Sequence, residues 1–461
     1  MEAENGSTMP EFYAIGNAHI DLAWLWPLSE TVRKTARTFA AQLRLLQEYP
    51  EYRFVQSQPA LYEMCRKAYP ELFERIKEAV REGRWIAEGG MWVEPDTNMA
   101  GGEALIRQLL YGKAYYKQEF DIDSEILWLP DTFGYTAALP QILQGCGIKY
   151  LVTQKIFWSY DGKEQFPYHY FNWTGMDGST VTSFLPTSYT YRTNPSEVNR
   201  TWKNRSQARD LDAFLLPYGY GDGGGGPCRD HIEFALRQKN LEGSVRMKLA
   251  GPKEFFEDMD RKGGPKNTWV GELYFSAHRG TYTTQALMKK NNRKAEIRMR
   301  ELELWATVAS LSDTGFVYPK TKAEELWKVV LLHQFHDILP GSCIAKVYEE
   351  AEQTFRQFFE ETDLLIGEAA GTLLTADEEA VTVFNSLSFE RKVLISLPEC
   401  FKEGALLCDG SYVSTECSEG QVRGIVTLPP CGMISLMPAK EKRTDKPADT
   451  EYPQAVIIQS G

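Results

Sequence analysis

The sequence predicts an α/β fold: a parallel sheet, open or closed into a barrel, followed by a helical region and a β-rich tail. Three observations carry this. From Glu11 to about Gly264, short apolar runs alternate with helix-like stretches. From Ala286 to about Leu311, and from Lys322 to about Ala376, the pattern lengthens into helices with few turn signals. From Ala380 onward come VTVFNSL, KVLISL and GIVTL, broken by Gly, Pro and Ser. The expected divisions are 11–265 for the α/β domain, 266–376 for a helical domain resembling a three-helix bundle, and 377–461 for the start of an incomplete β-rich domain.

Phe12 to Ile15 is apolar throughout and reads as a buried strand. Glu30 to Glu48 reads as an amphipathic helix, with Phe39, Leu43 and Leu46 at helical spacing and Pro50 beyond its end. Tyr52 to Gln56 is the next strand, and Leu72 to Glu82 a helix stopped at Gly83. Trp85 to Glu88, Glu125 to Trp128 and Tyr150 to Thr153 complete the visible strands, with helices between them. No repeat or low-complexity segment interrupts the series, and the last residues, Gln459-Ser460-Gly461, form no closing element.

At 461 residues the chain exceeds one compact core, so two or three domains are expected. A formal charge of −12 disfavours nucleic acid and anionic membrane surfaces, which select for basic proteins, and suits a neutral substrate. The opening MEAENGSTMPEF has neither the basic nor the apolar region of a secretory signal. No run approaches the ~18 apolar residues that span a bilayer. Eight cysteines without a CxxC pair read as free thiols in a reducing cytoplasm.

Five clusters carry candidate chemistry. Asn17-Ala18-His19-Ile20-Asp21 follows the first strand; a His and an Asp two apart on extended chain face one way and can share a metal. Trp128-Leu129-Pro130-Asp131-Thr132-Phe133-Gly134-Tyr135 also follows a strand, where ligands of α/β sheets bind. The plainer reading of each is a loop with a capping Asp. Leu331-Leu332-His333-Gln334-Phe335-His336-Asp337 sets two histidines three apart on one face of a buried helix end, as metal ligands or as core groups. Tyr218 to Pro227 holds four consecutive glycines and one charge, Asp222. It lacks the pattern of a phosphate loop, and fits either a close backbone approach to a ligand or a flexible turn. Glu272 to Tyr282, with Lys289 to Arg293 downstream, interleaves aromatics with hydrogen-bonding groups, as polar-ligand pockets do.

In this order the clusters resemble glycoside hydrolase family 38, the class II α-mannosidases, in its cytosolic and bacterial branch. The matching stretches are NAHIDLAWLWP, GGMWVEPDTNMAGGEALIRQLLYGK, LWLPDTFGYTAALPQIL, YGYGDGGGGP, HRGTYTTQ and HQFHDILPGS, over most of residues 11 to 345. The resemblance implies a (β/α)7-like barrel whose single zinc ion falls on His19, Asp21, Asp131 and His336; His336 matches because it directly precedes an Asp. Asp131 falls on the nucleophile, with the partner carboxyl ~5 Å away acting as acid and then base. Asp222 is assigned that second part, with Asp96 and Asp337 as rivals. Trp92, Asp96, Lys155, Arg279, Tyr282 and Asp337 are the implied substrate contacts.

The implied activity is hydrolysis of terminal α-linked mannose from oligosaccharides, with retention through a covalent glycosyl-enzyme. The partner is a mannose-containing oligosaccharide; a homo-oligomer and a complementary chain carrying the rest of the β region are both left open. Two other readings stay open: a zinc-dependent sugar deacetylase on a similar barrel, and an inactive or split-enzyme fragment acting as a sugar-binding scaffold.

Overall fold

The computed structural model describes residues 10–158, 165–374 and 379–442. The first nine residues of the opening MEAENGSTMPEF, the end at Gln459-Ser460-Gly461 and the last two residues of the helix expected to reach Ala376 lie outside these.

Two compact units emerge. The first contains the residues up to Met299 together with Lys320–Thr362. It opens β1 (Glu11–Asn17), α1 (Leu28–Glu48), β2 (Phe54–Gln56), α2 (Pro59–Ala68), α3 (Pro70–Arg81), β3 (Trp85–Ala87), α4 (Gly102–Phe120), β4 (Ile126–Trp128), α5 (Leu139–Gly145) and β5 (Tyr150–Val152). It continues β6 (Tyr170–Thr174), β7 (Thr180–Phe184), α6 (Pro195–Lys203), β8 (Ala213–Tyr218), α7 (Arg229–Arg237), β9 (Arg246–Leu249), α8 (Pro252–Arg261) and β10 (Thr268–Val270). The alternation read from the sequence is therefore an α/β fold.

The strands form two sheets. In one, β1 carries β8 along its length and parallel to it, while β9 pairs its first half and β2 its end, with β3 outside β2. The other runs β10-β6-β7-β5-β4. A parallel bridge between Gly89 and Leu127 joins β3 to β4, so the expected barrel is realised as two sheets linked at a seam. One pair breaks the parallel rule: β6 and β7 are antiparallel, because Gly175 to Gly178, with Gly178 at φ 89°, allows a tight hairpin return. Leu109, Leu127, Leu129, Leu151, Phe171 and Trp173 belong to the apolar core beside that second sheet.

Helix α1 departs from a purely apolar face. Besides Phe39, Leu43 and Leu46 it buries Thr31, Thr35, Thr38 and Gln42. Thr31 Oγ1 donates to Leu22 O at 2.6 Å and Gln42 Nε2 to Pro227 O at 3.2 Å, while Thr38 donates to Gly224 O. Those side chains satisfy the backbone of two loops that would otherwise be buried without partners.

The long helices are α9 (Ala286–Ser312), α10 (Lys320–His333) and α11 (Ala345–Gly371). In α9, Met288, Asn292, Ala295, Met299, Leu302, Ala306 and Ala309 are buried at alternating steps of four and three, one continuous stripe. The second unit, Arg300–Pro319 with Asp363 onward, contains β11 (Val381–Asn385), β12 (Arg391–Leu397), β13 (Ala405–Leu407), β14 (Tyr412–Val413), β15 (Thr415–Ser418), β16 (Gln421–Leu428) and β17 (Gly432–Pro438). They form antiparallel sheets β11-β17-β13-β14 and β12-β16-β15 around Phe401, Val422, Val426, Leu428 and Leu436. Strict alternation along β16 buries every second residue, the signature of a half-buried strand.

Candidate metal centre and active site

The site gathers the ends of elements in the first unit. His19 and Asp21 leave the C-terminal end of β1, and Asp131 follows β4. His336 arrives differently from the expectation that it shares a helical face with His333. Helix α10 ends at His333, whose Nδ1 bonds Val329 O at 2.8 Å and whose ring packs on Phe355. Beyond it, Pro95 and Phe335 form an antiparallel bridge, Asp96 N donates to Gln334 O at 2.8 Å and His336 N to Glu94 O at 3.2 Å. This short ladder competes with the helical bonds and wins, swinging His336 into the cluster and leaving His333 in the core.

His19, Asp21 and His336, all buried, place one ligand atom each within 4.8 Å of one another, and so do His19, Asp131 and Asp222. His19 Nε2 lies 2.9 Å and His336 Nε2 3.4 Å from Asp21 Oδ1, and both lie 4.0 Å from Asp131 Oδ2. Ligand atoms on one tetrahedral zinc sit ~3.3 Å apart, given zinc bonds of ~2.0–2.1 Å. His19 Nε2, Asp21 Oδ1 and His336 Nε2 are also buried without a hydrogen bond of proper alignment, although they face each other. Five carboxylates, Asp21, Glu94, Asp131, Asp222 and Asp337, meet here, and the Lys155 ammonium sets its Nζ 2.6 Å from Asp131 Oδ1. Orphaned ring nitrogens and carboxylate oxygens around a common centre, with an excess of negative charge, fit a divalent cation.

The titration directions follow from burial set against the charges packed around each group. Burial opposes ionisation of Asp21, but His19 and His336 hold its carboxyl down to about 2. Burial, reinforced by Asp21, pushes Asp337 up to about 7, against the pull of His336 and the Ser342 hydroxyl. For His19, burial works against protonation, and Glu94 and Asp21 outweigh it.

Asp222 sits at φ 43°, left-handed backbone that a non-glycine residue takes up only at a cost. The surrounding contacts hold it there: Tyr189 OH donates to Asp222 Oδ1, and Asp21 N donates to Asp222 O at 3.2 Å. The glycine run is a packing requirement. A Cβ on Gly219 would lie 2.4 Å from Asn17 O, and one on Gly221 2.6 Å from the Tyr189 ring.

The other residues named from sequence scatter around this centre. Lys155 touches Asp131 and lies over the Trp158 and Phe133 rings. Asp96 is buried, with Oδ1 accepting from Asn98 N at 3.0 Å and Met99 N at 2.7 Å. Asn98 Nδ2 donates to Tyr282 OH at 3.1 Å, and burial with Asp96 nearby pushes the Tyr282 phenol up to about 12. Arg279 is exposed on the 3-10 turn Ser276–Tyr282. Trp92 packs edge-on against Tyr115 and under Lys328. Three residues here were given no role from sequence. Glu94 contacts both histidines, Tyr189 holds Asp222 and meets the His19 ring edge-on, and His278 packs on Phe133.

Comparisons with known proteins bear on this centre. Residues 9–272 match the model of the glycosyl hydrolases family 38 N-terminal domain, and residues 276–373 that of the α-mannosidase middle domain. Over 86% of its length the chain is 40% identical to α-mannosidase 2C1 of Homo sapiens, and over 90% it is 37% identical to α-mannosidase of Saccharomyces cerevisiae. It spans 38% and 39% of those two proteins, about two fifths of their length. Among solved structures, an α-mannosidase from Enterococcus faecalis superimposes with a TM-score of 0.78 at 17% identity, covering 95% of this chain and 57% of that one, which speaks for the fold. With the first of these models covering more than half of it, the chain belongs to glycoside hydrolase family 38.

Proposed function

We propose that this chain carries the catalytic centre of a zinc-dependent, retaining α-mannosidase. One observation carries the reading: an oxygen of Asp131 and an oxygen of Asp222 lie within 4.8 Å of each other and of a His19 ring nitrogen. Retaining glycosidases place their two carboxyl groups about 5–5.5 Å apart, whereas inverting ones leave room for a water at about 6.5–9.5 Å.

In this reading the Asp131 carboxylate attacks the anomeric carbon. The Lys155 ammonium on Asp131 Oδ1 and the cluster facing Oδ2 fix its orientation. Asp222, oriented by the Tyr189 hydroxyl, protonates the departing glycosidic oxygen, then takes the proton of the water that hydrolyses the ester. His19, Asp21, Asp131 and His336 would hold zinc, which when bound anchors sugar hydroxyls as a Lewis acid. Asp96, Asp337, Arg279 and Tyr282 are proposed sugar contacts. The substrate class, terminal α-mannose on an oligosaccharide, rests on the resemblance to α-mannosidases. A cytoplasmic setting rests on the cysteine usage alone.

Hydrolysis of an aryl α-mannoside, before and after chelation and with zinc restored, tests the reading. Zinc-dependent turnover should disappear in Asp131→Asn. In Asp222→Asn it should fall by about 10²–10⁴-fold, with the loss shrinking on substrates whose leaving group needs no protonation. No turnover from protein carrying stoichiometric zinc would sink the proposal that this chain hydrolyses mannosides.

A further inference from the structure

Glu94 stands behind both histidines of the cluster. Zinc takes an imidazole through a lone pair, so a histidine that presents Nε2 must carry its proton on Nδ1, and that proton needs an acceptor. For His336 the acceptor is the Glu94 main-chain carbonyl, 2.8 Å from Nδ1. For His19 it is the Glu94 side chain, whose Oε2 lies 3.0 Å from Nδ1 in a bent contact. Both Nε2 atoms thereby point at Asp21 Oδ1.

Glu94 is itself held. It is 1% exposed; Ser57 Oγ donates to its Oε1 at 2.6 Å, and its own N–H donates to Gln58 Oε1 at 3.2 Å. Gln58 in turn donates to Ile20 O at 3.0 Å, between His19 and Asp21 in the loop after β1, and its own φ is 63°. A chain of contacts thus runs from a strained turn through one acid to two rings.

We infer that Glu94 is the positioning residue of the metal centre, setting the tautomer and angle of His19 through its carboxylate and of His336 through its carbonyl. The inference rests on the metal reading above, yet its test needs no mannoside. Zinc affinity of the stripped protein is measured by competition with a chelator, and the cobalt-substituted protein gives the visible spectrum of the site. Glu94→Gln should keep the carbonyl branch and lose the charged one, weakening zinc by about 10–100-fold and shifting the cobalt spectrum. Ser57→Ala, which frees Oε1 but leaves Glu94 in place, should weaken zinc by a smaller factor.

Unchanged affinity in a folded Glu94→Gln overturns the inference. If that variant does not fold, unchanged affinity in Ser57→Ala does so. A parent that binds zinc without cleaving mannosides, with weaker binding in Glu94→Gln, supports the inference while removing the mannosidase reading. A parent that binds no zinc overturns both.

Discussion

His169 shows how much a single buried ring can tie stability to pH. Its Nδ1 bonds Leu185 O at 2.6 Å and its Nε2 accepts from Ser206 N at 3.1 Å, an arrangement only the neutral ring satisfies. Burial pushes it down to about 4. The unfolded chain therefore binds the proton first, so this contribution is complete above the unfolded value of about 6.5 and is lost as pH falls toward 4. Between pH 7 and pH 5 the parent should lose about 2 kcal/mol through this ring. His169→Gln should flatten that part of the profile, as read by denaturant unfolding at the two pH values. Residues of this sort were illegible in the sequence. His19, Asp21 and Asp131 stood out because each follows a strand, whereas Glu94 lies in WVEPD with no spacing signal. Its contact with His336 crosses 242 positions and exists only once the chain is folded.

Among elements, the glycine loop after β8 is held by contact rather than by flexibility. Gly219 has φ 144°, and the atom nearest its missing Cβ is a backbone oxygen of β1, which cannot step aside. Gly219→Ala should separate the strand end bearing His19 from the loop bearing Asp222. Misplacement by 1 Å costs about 10²-fold in rate, so mannoside hydrolysis should fall at least that far along with the melting midpoint. Gly178→Ala is the control: φ is 89° but nothing lies within 4 Å, so only a backbone cost of about 1 kcal/mol is expected. Calorimetry and kinetics on the pair separate contact from conformation. The sequence suggested either a flexible turn or a close approach here, and could not choose, because the partner atom lies on a distant strand. It also read the stretch around His336 as one helix. Periodicity registers the apolar steps of α10 but not the ladder from Glu94 to Asp96 that ends it. In the β-rich tail, β11, β12 and β16 were visible in composition, through VTVFNSL, KVLISL and GIVTL, while β13 and β14, of three and two residues, are too short to leave a pattern.

For the whole chain, every residue of the proposed zinc site falls in the first unit, although one comes from beyond α10. Zinc binds the native arrangement and has no matching site in the unfolded chain, so it stabilises by mass action, about 2.7 kcal/mol at a hundredfold excess over Kd. Removing it should lower the melting midpoint in proportion, and His336→Ala should abolish the difference between stripped and loaded protein. Fold class was legible because strand-helix alternation survives in local composition. The seam between the two sheets and the antiparallel β6–β7 pair were not, since they depend on pairings between segments rather than on any one segment.

The order of the ligands along the chain has a consequence for biogenesis. During synthesis His19 and Asp21 emerge first and Asp131 much later, and until His336 follows, the carboxylates stand with only half of their imidazole partners. The carbonyl that orients His336 waits at Glu94 from early on. A growing chain is thus able to build the sheets before it can close the metal centre, and the finished centre marks that α10 and the turn beyond it have reached their place.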